Sequence, residues 1–398
     1  MALSLPWRSA EIESRRDMSD KNMFIWSLFA LFSLVMSACT GLPVRGVVGG
    51  QTIETRVDSE VARYYLGSYL AGERSDAALD KRIDRIYLNA NGGLPDRNQL
   101  KFLSDDFSVD FAALYFADQI ARKPINRHFR SIFDAAYEYT TKAFPKGQVK
   151  LPATAIEYEV LVVPIYLYKR LLGAGADLAG PREAMERIGL TCHFVETQDD
   201  GPVEANADLV AAAIRARAES GRRLIVVSAS KSSAEVALAL TKLGPAKTGH
   251  VAAWINTAGV LQGTPLVGER LFNDLELLVG PMDVAGKESL TTARSRQRFD
   301  SFRIPEHVLV VNYVGIPVTG SVSFFARRGF LFLRKLGPND GITLVADTII
   351  PGGVTVADLG NDHFMRGRPV DITSVALALT VIRWLALPNG QLVRGPES

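Results

Sequence analysis

Apolar and polar positions change their spacing along the chain, and the changes mark its parts. Met23 to Ala38, MFIWSLFALFSLVMSA, is uncharged and apolar without a period. Residues 39–58 are rich in Gly, Val and Thr and read as a tether. From Glu60 to Phe144, segments such as EVARYYLGSYLAG, AALDKRIDRIYLNA, FAALYFADQIA and HFRSIFDAAYEYTTKAF set apolar residues three and four apart. That is the spacing of amphipathic helices. Breaks fall at Asn91-Gly92-Gly93 and Lys123-Pro124. Residues 59–150 therefore predict a small helical region whose aromatics form its core.

From Tyr158 the pattern becomes strand and helix in alternation. Glu159 to Pro164 is a continuous apolar run, as a strand covered on both faces requires. Strands are expected at Leu190–Glu196, Leu224–Val227, Val251–Thr257 and His307–Val314, with a further one at Ile342–Ala346. Helices are expected at Arg182–Ile188, Pro202–Ser220, after Ser230, and at Thr373–Leu387. Alternation of this kind predicts an α/β fold with a mostly parallel sheet and helices on both faces, over 151–390. It lapses between Gly268 and Arg303, so 266–305 is read as a possible cap over a cleft.

The chain has 398 residues, 47% hydrophobic and 22% charged, enough for one large or two modest cores. A net charge of +2 leaves no overall attraction for nucleic acid or another polyanion. The two cysteines, Cys39 and Cys192, are too few for a disulfide framework. Cys192 reads as a small buried residue on a strand.

The apolar run is short for a bilayer span, follows Lys21, and ends in small residues. Met36-Ser37-Ala38-Cys39 resembles a bacterial lipoprotein signal, in which the cysteine is lipidated. That resemblance makes 1–38 a signal peptide, Cys39 the lipidation site, and the location the cell envelope on the periplasmic side of a bacterial membrane. Met18 as the start would leave a normal, short, positively charged lead.

Chemistry concentrates at Leu224 to Leu240, LIVVSASKSSAEVALAL. A β-branched run stops at small residues and a helical pattern begins at once. Ser228 and Ser232 flank Ser230 at two positions on either side, the spacing of a nucleophile elbow. A serine hydroxyl needs a base within hydrogen-bond reach and a carboxylate to orient that base. The five histidines are His128, His193, His250, His307 and His363. His128 precedes the sheet, His193 lies inside a strand, and His250 and His307 stand at strand starts. His363 alone lies late, in a loop beyond a strand, where sheet-borne sites form. The candidate acids are Asp340, Asp347, Asp358 and Asp362; Asp340, in the turn Gly337-Pro338-Asn339-Asp340-Gly341, stands first and Asp347 second. Oxyanion donors are expected from the backbone N–H of Lys231 and from Ile165 or Tyr166 after the first strand. The Lys231 ammonium is expected in solvent or beside an acid.

Residues 158–387 resemble the α/β-hydrolase fold in its lipase-like branch. The order Ser230, Asp340, His363 follows the family's nucleophile–acid–histidine order. INTAGVLQGTPL, Asn339-Asp340-Gly341 and Asp362-His363-Phe364 resemble the family's segments after the next strand, at the acid and at the histidine. The resemblance implies a serine hydrolase acting on a small-molecule or lipid carboxylic ester, tethered to a membrane by its anchor, with no metal or organic cofactor. The chain departs from G-x-S-x-G, having S-A-S-K-S, and from the family's glycines after the first strand, having Pro164-Ile165-Tyr166. These departures leave a second reading, a non-catalytic binding or scaffold lipoprotein. Ser228-Ala229-Ser230-Lys231 and Lys247-Thr248-Gly249 also fit S-x-x-K and K-T-G of penicillin-recognising enzymes. Those enzymes open a helix with the first motif and place the second far downstream, so this match is set aside.

Overall fold

The computed structural model describes residues 41–88, 92–171, 175–269, 276–277 and 279–387. The expected signal peptide and Cys39 lie outside them. Among the described residues no helix is long and apolar enough to cross a membrane.

The expected tether is instead a β-hairpin. Strands β1 (Leu42–Val48) and β2 (Gln51–Val57) pair antiparallel, with Val48 opposite Gln51. Gly49 and Gly50 turn the chain at φ 56° and 83°, the left-handed pair that a two-residue hairpin turn demands. Five helices follow: α1 (Glu60–Gly67), α2 (Ala77–Leu88), α3 (Arg97–Asp106), α4 (Val109–Arg122) and α5 (Pro124–Ala143). Their starts are written locally. Ser59 and Ser108 cap α1 and α4, and Asp96 with Gln99 makes a reciprocal capping box on α3.

The second part is a six-stranded parallel sheet. Its strands are β3 (Tyr158–Val163), β4 (Thr191–Phe194), β5 (Arg223–Ala229), β6 (Val251–Thr257), β7 (Leu309–Ile316) and β8 (Val354–Leu359). They lie in the order β4-β3-β5-β6-β7-β8. Between them run α6 (Ala179–Arg187), α7 (Val203–Arg217), α8 (Lys231–Lys247), α9 (Val284–Glu288), α10 (Thr292–Asp300) and α11 (Phe324–Leu333), and α12 (Val370–Leu385) closes the chain. Alternate side chains of each strand enter opposite layers. Val160, Val162, Ile225, Ile255 and Val311 face α5, α6 and α12, whereas Leu161, Val163, Val226 and Trp254 face α7 and α8.

Three expectations change. Ile342–Ala346 is no strand: the sheet's last position beside β7 is taken by Val354–Leu359, and residues 345–348 form a 3-10 turn. The helical region is not closed on itself. Phe129, Phe133 and Ala136 of α5 lie in the sheet's core, while the hairpin and α1–α4 pack against Val314, Ile316 and Ala357 at the β7–β8 edge. Gln51 donates to Ala357 O at 2.8 Å and accepts from Leu359 N at 3.2 Å, which blunts that open edge. The described end of the possible cap lies against the α7–α8 layer through Phe299, Phe302 and Ile304. Buried Arg298 pins it there, bonding Glu204 at 2.8 Å and Ser289 O at 2.8 Å.

Candidate active site

Strand β5 ends at Ala229 and α8 begins at Lys231, so Ser230 alone must turn the chain. It does so at φ 55°, ψ −128°. A non-glycine residue there is strained by about 1–3 kcal/mol and persists only if clamped. The clamps are backbone bonds to the neighbouring loop. Ser230 N–H donates to Thr257 O at 3.0 Å, and Val260 N–H donates to Ser230 O at 2.9 Å.

The flanking serines, where glycines were expected, are wholly buried and bonded. Ser228 Oγ accepts the Trp254 indole N–H at 2.8 Å and meets Ser233 Oγ at 3.1 Å. Ser232 Oγ accepts Ala229 N–H at 3.1 Å and donates to Ala229 O at 2.8 Å. The hydroxyls thus tie the turn, and neither is left buried without a partner.

The imidazole of His363 reaches this turn from the loop between β8 and α12. Its Nε2 lies 2.9 Å from Ser230 Oγ and its Nδ1 lies 2.8 Å from Asp340 Oδ2. Both partners are sheltered: the His363 side chain is 9% exposed and that of Asp340 1%. Asp340 sits in a closed turn. Its Oδ1 accepts Ile342 N–H at 2.9 Å and Thr343 N–H at 2.8 Å, and its backbone N–H donates to Thr343 O. His363 N–H donates to Asp340 O at 2.9 Å, so backbone and side chain register the two loops together.

Helix α11 backs the turn by direct backbone contact. A Cβ on Gly329 would fall 1.9 Å from Gly341 O, and Gly341 itself has φ 94° against Ala326. Asp362 does not serve the ring beside it; its carboxylate accepts Ser323 N–H at 2.6 Å and Phe364 N–H at 3.0 Å, which anchors the histidine loop to α11.

A parallel sheet wrapped on both faces, turning at a left-handed serine after its central strand, decides the class. The fold is that of the α/β-hydrolases. No protein-family model and no curated protein sequence matches the chain. Similar solved structures include a metagenomic carboxyl esterase, 21% identical over 59% of this chain and 78% of that one, TM-score 0.48. The mature form of a Bacillus licheniformis lipase is 20% identical over 57% and 91%, TM-score 0.46. A Legionella pneumophila phospholipase is 15% identical over 48% and 45%, TM-score 0.36.

The remaining candidates are held elsewhere. Asp347 is buried between Arg97 at 2.7 Å and Arg296 at 3.5 Å, and burial raises its pKa above the ordinary carboxylate value. Asp358 accepts from Tyr313 Oη at 2.5 Å and pairs with Arg368 at 3.1 Å. His193 bonds Glu159 at 3.0 Å, His250 bonds Ile214 O, His307 bonds Thr248 O, and His128 lies against Trp384. Half-buried Cys192 has its thiol pushed up to about 12 by burial. The Ile165 N–H, an expected oxyanion donor, is spent on Ala176 O at 2.8 Å. Tyr166 follows the end of β3 by three residues, and Lys231 opens α8.

Of the two places expected for the Lys231 ammonium it takes the one beside an acid: it is buried on Glu235, whose Oε1 also accepts from Asn206 at 2.9 Å. That excludes a Ser–Lys arrangement, since Ser228 is buried on Trp254 and the lysine serves Glu235. Among the described residues no group of three His, Cys, Asp or Glu could hold a metal ion. Sequence reasoning missed Gly329 and Asp362 as supports of the site. Gly329 inside an apolar helix was the available signal for a close approach.

Proposed function

We propose that this chain is a serine hydrolase of carboxylic esters, acting through Ser230, His363 and Asp340. The observation that carries the reading is the unbroken relay from Ser230 Oγ through both ring nitrogens of His363 to a buried carboxylate. With Asp340 accepting at Oδ2, the ring proton belongs on Nδ1, which leaves Nε2 as a base facing the hydroxyl.

In the reaction, Ser230 Oγ bonds to the ester carbonyl carbon as its proton passes to His363 Nε2. Negative charge collects on the carbonyl oxygen, where the backbone N–H groups of Lys231 and Tyr166 receive it. Each such pre-set donor contributes about 3 kcal/mol to lowering the barrier. The C–O bond to the alcohol breaks, and the alcohol leaves with the proton from Nε2. Water then attacks the acyl-serine by the same relay, returning acid and free hydroxyl. Asp340 keeps its charge throughout and stabilises the imidazolium.

A fluorophosphonate label tests this reading. Labelling and short-chain ester turnover that both vanish in Ser230→Ala support the enzyme; folded wild-type protein that neither labels nor turns over esters refutes it. The proposal extends to a lipid anchor at Cys39 in the bacterial envelope. Incorporation of labelled palmitate that disappears in Cys39→Ser is the expected result, and equal incorporation into both would remove the anchor.

A further inference from the structure

Two backbone N–H groups on different elements must converge on one oxygen, so their spacing has to be held. Lys231 opens α8, and its N–H is fixed by the helix and by the clamped Ser230 before it. Tyr166 lies beyond β3 in irregular backbone, followed by Leu167 at φ 62°. The N–H groups on either side of it are spent, Ile165 on Ala176 O and Leu167 on Asp199 O, each at 2.8 Å. Among the described residues the N–H groups of Tyr166 and Lys231 meet no acceptor.

The Tyr166 loop is moored to the loop after β4. Besides the Leu167 bond, Lys169 N–H donates to Asp199 Oδ1 at 2.6 Å and Tyr168 Oη donates to Thr197 O at 3.0 Å. Asn206 ties that second loop inward. It is 1% exposed near the start of α7, donates to Gln198 O at 3.0 Å and accepts Gln198 N–H at 2.9 Å. The same amide donates to Glu235 Oε1 at 2.9 Å, and Glu235 holds the Lys231 ammonium. That ammonium lies 5.4 Å from the Tyr166 ring centre, within cation–π range. A chain of buried polar groups thus runs from one donor residue to the other. The Lys231 and Glu235 side chains are 3% and 2% exposed. A buried ion pair adds little stability over an apolar pair of the same volume. It does fix direction, because neither charge can leave its partner without being stranded.

We propose that Glu235 and Asn206, with the Lys231 ammonium, are positioning residues for the oxyanion. The chain they form sets the distance between the Tyr166 loop and α8 at which both N–H groups meet one oxygen. The inference rests on the hydrolase reading. Such donors act at about 3 Å from the developing charge, and a misplacement of about 1 Å costs about 100-fold in rate.

The test compares the full chain with two variants. Asn206→Ala cuts the chain at its middle. Lys231→Met/Glu235→Met fills the same space with no charge left unpaired, so the fold is kept. Turnover of a soluble short-chain ester is read beside binding of a trifluoromethyl ketone. The ketone carbon bonds Ser230 Oγ, the serine proton passes to His363 Nε2, and the ketone oxygen stays as an oxyanion. In both variants kcat per folded molecule should fall about tenfold or more with KM kept within about twofold, and the ketone should bind more weakly by the same factor. Amide exchange at Leu167 should quicken by about tenfold. A merely structural role would lower the melting temperature and leave kcat per folded molecule and ketone binding in place; that result overturns the proposal. A fall in kcat that ketone binding does not follow also overturns it, and so does unchanged exchange at Leu167. A parent protein that turns over no ester and binds no ketone, with Leu167 exchange still quickened in the variants, would uphold the mooring and strike the hydrolase reading alone.

Discussion

Replacing Asp340 by asparagine changes one atom and reverses the logic of the relay. The carboxylate Oδ1 accepts two backbone N–H groups, from Ile342 and Thr343. An asparagine oxygen can accept both, so the turn should survive, with neutral bonds in place of charge-assisted ones at a cost of about 1–2 kcal/mol. The other position is different. Oδ2 now faces His363 Nδ1 at 2.8 Å; an amide NH₂ there is a donor and makes Nδ1 the acceptor. The ring proton must then sit on Nε2, which lies 2.9 Å from Ser230 Oγ and can no longer take its proton. Loss of the correct tautomer lowers kcat on the order of 10,000-fold, about 5.5 kcal/mol of barrier. The assay is kcat on a soluble short-chain aryl ester per folded molecule, with the fold followed by circular dichroism. Asp347→Asn is the comparison: its carboxylate holds Arg97 and Arg296, so kcat per folded molecule should fall less than about tenfold. A folded Asp340→Asn variant that keeps more than a tenth of wild-type kcat would refute the relay.

Other perturbations read different parts of the structure. Gly329→Ala forces a methyl into Gly341 O and should destabilise the protein by about 1–3 kcal/mol while lowering kcat, checked by thermal melting and turnover; an unchanged melting point would contradict the close packing. Tyr166→Phe removes a buried hydroxyl that has no partner, so stability should hold or rise by about 1 kcal/mol with activity kept, since the proposed donor is backbone; a marked loss of activity would assign the hydroxyl a role. Lys231→Met strands buried Glu235 and should cost about 3–5 kcal/mol, much of it recovered when Glu235→Gln is added; equal instability of single and double variants would count against the pair. Burial, and then the neighbouring Asp58, pushes Asp110 up to about 7, above an unfolded value of about 4. Folding therefore favours its protonated form, a contribution whole below about pH 4 and lost as pH rises through about 7. The melting temperature of Asp110→Asn relative to wild type should climb between pH 5 and 8, and a flat difference would discard the assignment.

Much of the architecture was legible because it rests on short-range pattern. A strand buried on both faces needs an unbroken apolar run, and Glu159–Pro164, Leu224–Val227 and Val251–Thr257 have one. Ser230 was conspicuous for a related reason: a strand that becomes a helix within one residue leaves only small side chains room to turn. The hairpin was equally local, written in Gly49-Gly50, yet short strands beside a glycine-rich stretch look like a linker until something buries them. Here α1 and the β7–β8 edge do so.

Which distant groups meet was decided by tertiary structure. Asp340 and Asp347 occupy the same loop and differ little as sequence; Arg97, 250 positions away, draws one aside, and the turn registered on His363 turns the other to the ring. Ile342–Ala346 has a strand's composition, but the place beside β7 goes to Val354–Leu359, whose register fits. Ile165 loses its N–H to Ala176, and Lys231 is buried because Glu235 is buried with it. Periodicity settles which face of an element is apolar, since that depends on neighbours three or four residues away. The partners of Asp347 and of Ser230 depend on packing between segments 250 and 133 positions apart, and no local pattern carries that information.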